Sequence, residues 1–153
     1  MDEIVGLDLQ VRREMSNPIV LGYQEMDEVH AEFDELLASA ISCDDDELAQ
    51  KLDYLVEHLK AHFAMEDTWM REGDFPPREC HAAEHAAVLQ SAAEVQPMVA
   101  RGNMHVGRSF IRALSDWFPP HATHLDSALA AWMFKRQSGG KPLVFHPRIA
   151  SID

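Results

Sequence analysis

LAQKLDYLVEHLKAHFAMEDTW, residues 48–69, is the stretch that decides the fold class. Its leucines recur at alternating intervals of four and three, and His62, Glu66 and Trp69 continue the same rhythm. This spacing places all of these side chains on one stripe of an amphipathic helix. The acidic residues 44–47 precede it, and negative charge is favourable at the positive end of the helix dipole. The stretch therefore predicts a long helix with one buried face.

Three further segments have the same periodicity. One begins after Gly22, one follows Pro76 and Pro77, and one runs from about Met104 to about Lys135. Their stripes contain Met26, His30, Phe33, Leu37 and Ile41; then His81, His85, Val88, Ala92, Val95 and Val99; then Phe110, Leu114, Trp117 and His121. No strand pattern competes with these helices, and the connections between them are short. We predict an all-α fold, an antiparallel up-down four-helix bundle.

The two ends of the chain lack this periodicity. We expect an N-terminal arm over residues 1–21, the bundle over residues 22–136 and a short C-terminal tail over residues 137–153. The tail contains Gly139, Gly140 and Pro142, which interrupt regular structure. A length of 153 residues suits one domain, so residues 1–153 are predicted to form a single domain.

Charge and composition exclude several classes of partner. The formal net charge is −13, which argues against binding to nucleic acid or to an anionic membrane surface. No apolar stretch reaches the ~18 residues of a membrane span, and the acidic N-terminus does not resemble a signal peptide. Cys43 and Cys80 form no disulfide framework, which suits a reducing compartment. We expect a cytoplasmic protein, and the sequence leaves its oligomeric state open, with a monomer among the options.

Histidines fall on the predicted buried stripe of every helix. In His62-x-x-x-Glu66 and His81-x-x-x-His85, the four-residue separation aims both side chains from the same face of a helix. Each pair alone has an ordinary explanation as a core or surface interaction. Their joint placement favours a metal site, because one cation satisfies several buried polar groups at once. The candidate ligands are His30, His62, Glu66, His81, His85, His121 and Asp126.

The ligand types indicate which metal this site would hold. Five imidazoles and two carboxylates without a thiolate suit iron, with manganese or zinc as alternatives. Seven ligands are too many for one tetrahedral zinc and the right number for two metals bridged by carboxylates. His81 to His85 also matches the H-x-x-E-H pattern of zinc peptidases. The only later glutamate, Glu94, lies on the same predicted helix, so the peptidase interpretation is disfavoured.

These motifs, taken in order, resemble the hemerythrin family, and in particular bacterial single-domain hemerythrins. The matching segments are Gly22…Met26-Asp27-x-x-His30, His62-Phe63-x-x-Glu66-Asp67-x-x-Met70, His81-x-x-x-His85 and Trp117-x-x-x-His121-x-x-x-x-Asp126. The resemblance implies two iron ions, cycling between Fe2+ and Fe3+ and bridged by an oxo or hydroxo oxygen. It implies the following roles: His81, His85 and His121 on one iron, His30 and His62 on the other, and Glu66 and Asp126 bridging both.

The implied function is reversible binding of dioxygen by a carrier, store or sensor. Two six-coordinate irons with these ligands and one shared oxygen keep a single vacant position, on the iron with two histidines. Reversibility requires a dry pocket, for which Phe63, Trp69 and Trp117 are candidates. One alternative is a di-iron enzyme on the same scaffold that reduces peroxide or nitric oxide, or oxidises ferrous iron. Another is a structural or regulatory metal module.

The spacing of the last two candidate ligands conflicts with a regular helix. His121 and Asp126 are five residues apart, which turns a regular α-helix by about 500° and leaves the side chains roughly 140° apart. We therefore predict a local π-like turn, helped by Pro120, which lacks the backbone N–H for an intrahelical bond. His124 is the substitute ligand if His121 points away. His58 flanks the stripe of its helix, where a supporting or exposed role is favoured over ligation.

Overall fold

The computed structural model describes residues 19–137, which form four helical rods. The elements are α1 (Gln24–Ser42), α2 (Asp45–Glu72), α3 (Arg78–Ala100), α4 (Met104–His121), a π-helical turn (Ala122–Asp126) and α5 (Ser127–Gln137). The π-turn joins α4 and α5 into one continuous rod. The described part of the chain contains no strand, so the predicted all-α four-helix bundle is confirmed. Residues 1–18 of the predicted arm and 138–153 of the predicted tail lie outside the described residues.

Short connections hold neighbouring helices side by side. Each helix packs against the next along the chain, and α1 also packs against α4, which closes the bundle. The first turn of α2 carries three acidic residues, as the dipole argument predicts. The side chain of Asn103 caps α4 by accepting a hydrogen bond from the Val106 backbone N–H at 3.2 Å. Arg108 binds Asp45 at 2.6 Å, which ties the start of α2 to α4. No helix within residues 19–137 has the length and apolarity needed to cross a membrane.

A layer of polar side chains divides the core into two apolar clusters. The larger cluster includes Phe33, Leu48, Leu52, Leu55, Leu59, Phe63, Ala92, Val99, Ile111, Leu114 and Phe118. The smaller cluster contains Tyr23, Met26, Met70, Phe75, Leu129 and Ala130. On α1, for example, His30 lies between Met26 of one cluster and Phe33 of the other. The histidines are therefore enclosed by apolar side chains on both sides.

The predicted stripe of α1 is wrong at its last position. Ile41 is 38% exposed, whereas Ala40 is fully buried. The buried face advances by 3.6 residues per turn, so the step from Leu37 to the next core position is three residues here. Ile41, one residue further on, lies about 100° around the helix from Ala40 and is therefore partly exposed to solvent.

Candidate metal centre

The structure brings all seven predicted side chains together in the polar layer. The buried set is His30, His62, Glu66, His81, His85, His121 and Asp126. Glu66, His81, His85, His121 and Asp126 each offer one ligand atom within 4.8 Å of the others, and so do His30, His62 and Glu66. Helices α1, α2, α3 and the α4 rod all contribute. We call His81, His85 and His121 the three-histidine set, and His30 and His62 the two-histidine set.

The predicted π-turn is confirmed, and it aims the last two side chains inward. Residues Ala122–Asp126 are π-helical, and the Ser127 N–H bonds to the Ala122 carbonyl five residues back. The wider turn accommodates one extra residue, so His121 and Asp126 face the same side of the rod. Their Nε2 and Oδ1 atoms are 3.2 Å apart. His124, the possible substitute, is exposed and lies outside the cluster.

Glu66 turns one carboxylate oxygen toward each histidine set. Its Oε2 lies 2.7 Å from Nε2 of His62 and 3.6 Å from Nε2 of His30. Its Oε1 lies 3.4 Å from Nε2 of His81 and 3.3 Å from Nε2 of His85. The two oxygens of this carboxylate therefore face different histidine sets.

Asp126, on the α4 rod, also turns one carboxylate oxygen toward each histidine set. Its Oδ2 is 3.1 Å from Nε2 of His30 in the two-histidine set. Its Oδ1 is 2.8 Å from Nε2 of His81 and 3.2 Å from Nε2 of His121. Both carboxylates therefore face two groups of imidazoles, and the cluster divides into two groups of residues that could each hold a metal ion.

The hydrogen bonding of these atoms fits bound cations. The Nε2 atoms of His30 and His81, Oε1 of Glu66 and both Oδ atoms of Asp126 are buried with no hydrogen bond to any described residue. Such atoms cost free energy unless another partner satisfies them. Iron suits this donor set of imidazoles and carboxylates, and the two cysteines, Cys43 and Cys80, take no part in the cluster.

Two rings of the three-histidine set provide a second test of the fit. The Nδ1 atoms of His85 and His121 are each 2.8 Å from a carboxylate oxygen, of Asp67 and Glu84 respectively. A carboxylate only accepts, so each Nδ1 carries a proton, and the Nε2 of each ring is the atom that faces the cluster. Those two Nε2 atoms are 3.2 Å apart. At this distance the two atoms share a proton in the metal-free protein, and a bound cation could take the place of that proton.

Aromatic rings cover the cluster on the side of the larger apolar cluster. Phe63 stacks on His85 with centroids 4.1 Å apart, and Trp117 stacks on His121 at 4.2 Å. Phe118 places its edge against His30 at 5.0 Å. Sequence reasoning missed Phe118, although it lies three residues before His121 and four after Leu114, which is the helical signal. Trp69 packs against Tyr23 in the smaller apolar cluster, on the other side of the histidines, and its pocket role stays a prediction.

His58 lies beside the cluster rather than in it. Its ring is 5.3 Å from that of His62, and its Nδ1 is 3.2 Å from Oε1 of the exposed Glu32. It belongs to neither group of converging ligand atoms. This position agrees with the supporting role that the sequence favoured.

The carboxylates and imidazoles perturb one another strongly. Burial alone would lower the pKa values of His30 and His81, but contacts with Asp126 and Glu66 outweigh it and raise both to about 9. Burial alone would raise the pKa of Glu66, yet its four histidine partners hold that pKa well below the usual range. The pKa of Asp126 is lowered for the same reason. Without a metal, protons supply the positive charge that the carboxylates need.

The metal-free protein is expected to lose stability as the pH rises from 6 to 9.5. Histidines whose folded-state pKa is raised stabilise fully below their unfolded pKa of about 6.5, and that stabilisation is lost as the pH passes 9. The carboxylates have lowered folded-state pKa values, so they stabilise above about pH 4 and lose this effect in acid. Stability should therefore peak between about pH 4.5 and 6.5.

Thermal unfolding followed by circular dichroism at pH 5.5, 7.5 and 9.5 checks this prediction. The metal-loaded protein is the control, and its metal should bind more tightly as the pH rises, because only deprotonated imidazole coordinates. A melting temperature of the metal-free protein that is unchanged between pH 5.5 and 9.5 would contradict the expectation.

The comparison with protein families agrees with the site. The family model described as the hemerythrin HHE cation binding domain matches residues 21–133. The chain belongs to the hemerythrin family. The match covers every member of the cluster, from His30 to Asp126, so the resemblance inferred from the motifs is confirmed.

Two bacteriohemerythrins are similar to this hemerythrin. The protein from Ralstonia nicotianae is 35% identical over 121 residues, which cover 79% of this chain and 88% of that protein. The protein from Methylococcus capsulatus is 28% identical over 80 residues, which cover 52% of this chain and 61% of that protein. No solved structure matches the chain significantly.

Proposed function

We propose that this hemerythrin holds two iron ions in the cluster and binds dioxygen reversibly at one of them. The proposal rests mainly on the orientation of the two carboxylates. Glu66 and Asp126 each turn one oxygen toward the two-histidine set and the other toward the three-histidine set. The three-histidine position then has five protein ligand atoms and the two-histidine position has four. If both irons were six-coordinate and shared one oxo or hydroxo oxygen, a free position would remain only where His30 and His62 would be the histidine ligands.

The protein side chains perform the positioning and the exclusion of water. When bound, a pair of ferrous ions supplies the two electrons that dioxygen binding requires and recovers them on release. Glu66 and Asp126 hold the two positions together. Phe118 lies against His30 and against Phe33, with ring centroids 5.0 Å and 4.5 Å apart respectively. These rings keep water away from the two-histidine position, which favours release of dioxygen over its further reduction.

Anaerobic reconstitution with a ferrous salt tests the proposal. We expect two iron atoms per chain and a colourless protein that becomes coloured in air. The ultraviolet–visible spectrum of the air-exposed form should persist for minutes or longer, disappear under vacuum and return on readmission of air. Fewer than two irons per chain would contradict the proposal. Rapid turnover with a reductant would indicate the enzyme instead, and a tightly zinc-loaded protein that never becomes coloured would indicate a structural or regulatory metal module.

The charge of the chain bears on its other partners. The partner that we propose from the metal site is dioxygen. The net charge of −13 disfavours two other partners, nucleic acid and anionic membranes, because the protein would repel their negative charges. The cytoplasmic location and the single domain over residues 1–153 stay predictions from the sequence.

A further inference from the structure

Two carboxylates outside the candidate ligand set accept hydrogen bonds from histidines of that set. In each case the donor is Nδ1, the ring nitrogen that faces away from the cluster. Asp67 Oδ1 accepts from Nδ1 of His85 at 2.8 Å, and Glu84 Oε1 accepts from Nδ1 of His121 at 2.8 Å. The side chains of Asp67 and Glu84 are 36% and 42% exposed, so both lie at the edge of the bundle. Each of them therefore fixes the orientation and the tautomer of one ring in the three-histidine set.

The two-histidine set has no such support. The Nδ1 atoms of His30 and His62 are buried, and neither has a hydrogen-bond partner within residues 19–137. In the three-histidine set, His85 and His121 are also each stacked face to face with an aromatic ring, 4.1 Å and 4.2 Å away. Two rings of the three-histidine set, those of His85 and His121, are thus held through Nδ1 and on one face, whereas the Nδ1 of its third ring, His81, is as unpartnered as those of the two-histidine set.

The positions of Asp67 and Glu84 in the sequence explain how they reach these rings. Asp67 directly follows Glu66 on α2 and binds His85 on α3. Glu84 directly precedes His85 on α3 and binds His121 at the end of α4. Each carboxylate therefore adjoins one ligand on its own helix and holds another on the next helix. Together they fix three consecutive helices around one of the two metal positions.

We propose that Asp67 and Glu84 are positioning residues that make the three-histidine position bind metal first and more tightly than the two-histidine position. A carboxylate that accepts a hydrogen bond from Nδ1–H makes Nε2 of the same ring more basic. It also fixes the orientation of the ring before metal binds, so that metal binding costs less conformational entropy. Loss of such a partner typically weakens metal affinity by about 10- to 100-fold. The inference rests on the proposed di-iron site, but not on the binding of dioxygen at that site.

A metal titration of the full-length, metal-free protein tests this inference. Co2+ is the probe, followed by calorimetry and by the visible spectrum, which reports the coordination of each ion. The wild type should bind two ions in two separate steps. Asp67→Asn and Glu84→Gln should each weaken the first step about 10- to 100-fold and change the second by less than about threefold. Asp67→Glu, which keeps the charge, should retain most of the affinity of the first step.

Glu32→Gln is the matched control. Glu32 also accepts from a histidine Nδ1, at 3.2 Å, but that histidine is His58, which lies outside the cluster. This variant should leave both steps unchanged. A purely structural role of Asp67 and Glu84 would weaken both steps together, so the ratio of the two dissociation constants is the decisive quantity.

The outcomes separate this inference from the proposed function. Two ions that bind in one step, or an unchanged ratio in both variants, would overturn the inference without affecting dioxygen binding. The ratio of the two Co2+ dissociation constants could shift in the variants as expected while the iron-loaded protein never binds dioxygen. That result would support the inference and refute the proposed function. A wild type that binds no Co2+ would overturn the inference, and one that also retains no iron would overturn both.

Discussion

Replacing Glu66 with glutamine is expected to reduce the iron content from two atoms to less than one per chain. Glu66 is fully buried, and its two oxygens face four of the five histidines in the cluster. Glutamine keeps the size of the side chain but removes the negative charge, and its amide group turns a donor toward one of the metal positions. Because the same carboxylate serves both positions, a single substitution should weaken both.

The measurement is the iron content after anaerobic reconstitution and desalting, with circular dichroism to establish that the variant folds. Glu57→Gln on the same helix is the control, since the Glu57 side chain is 75% exposed and pairs only with Lys60 at 3.4 Å in the described structure. Asp126→Asn provides an independent variant, because Asp126 also faces both sets. Two irons retained by both the Glu66 and the Asp126 variants would show that neither carboxylate bridges the metals.

The sequence predicted the helices and the cluster because both depend on periodicity within one helix. The rhythm of residues 48–69 requires only that one face of α2 be buried, and the four-residue separations of the histidine motifs follow from the same geometry. The π-turn was also predictable, since a five-residue spacing between two inward residues cannot fit a regular α-helix.

Features that depend on contacts between helices were beyond the sequence. Asp67 and Glu84 adjoin stripe residues without belonging to the stripe, and their partners are histidines on neighbouring helices. No spacing within one helix marks such a pair. The same limit applies to Trp69, whose position on the stripe gave no information about which of the two apolar clusters it joins.

Truncation of Phe118 to alanine is expected to destabilise the bundle and to accelerate autoxidation of the oxygenated protein. Phe118 is only 3% exposed, and it packs between His30 and Phe33. Loss of a buried phenylalanine side chain typically costs about 3–5 kcal/mol, which urea or thermal unfolding measures directly. The cavity would border the buried polar atoms of the two-histidine set, and a cavity with polar partners admits water. Water beside this position would supply two protons, so that oxygen would leave as hydrogen peroxide with two electrons taken from the iron pair rather than as dioxygen.

A matched variant separates the loss of stability from the entry of water. Leu48→Ala removes a fully buried side chain from the same apolar cluster, fourteen residues before His62 and therefore about 21 Å away along α2. It should cost a comparable 2–5 kcal/mol and leave the autoxidation rate near that of the wild type. Phe118→Leu, which retains most of the volume, should give intermediate values for both quantities. If Leu48→Ala accelerated autoxidation as much as Phe118→Ala does, general loosening of the bundle would govern the lifetime of the oxygenated form. A difference between the two variants would assign that lifetime to the ring that covers His30.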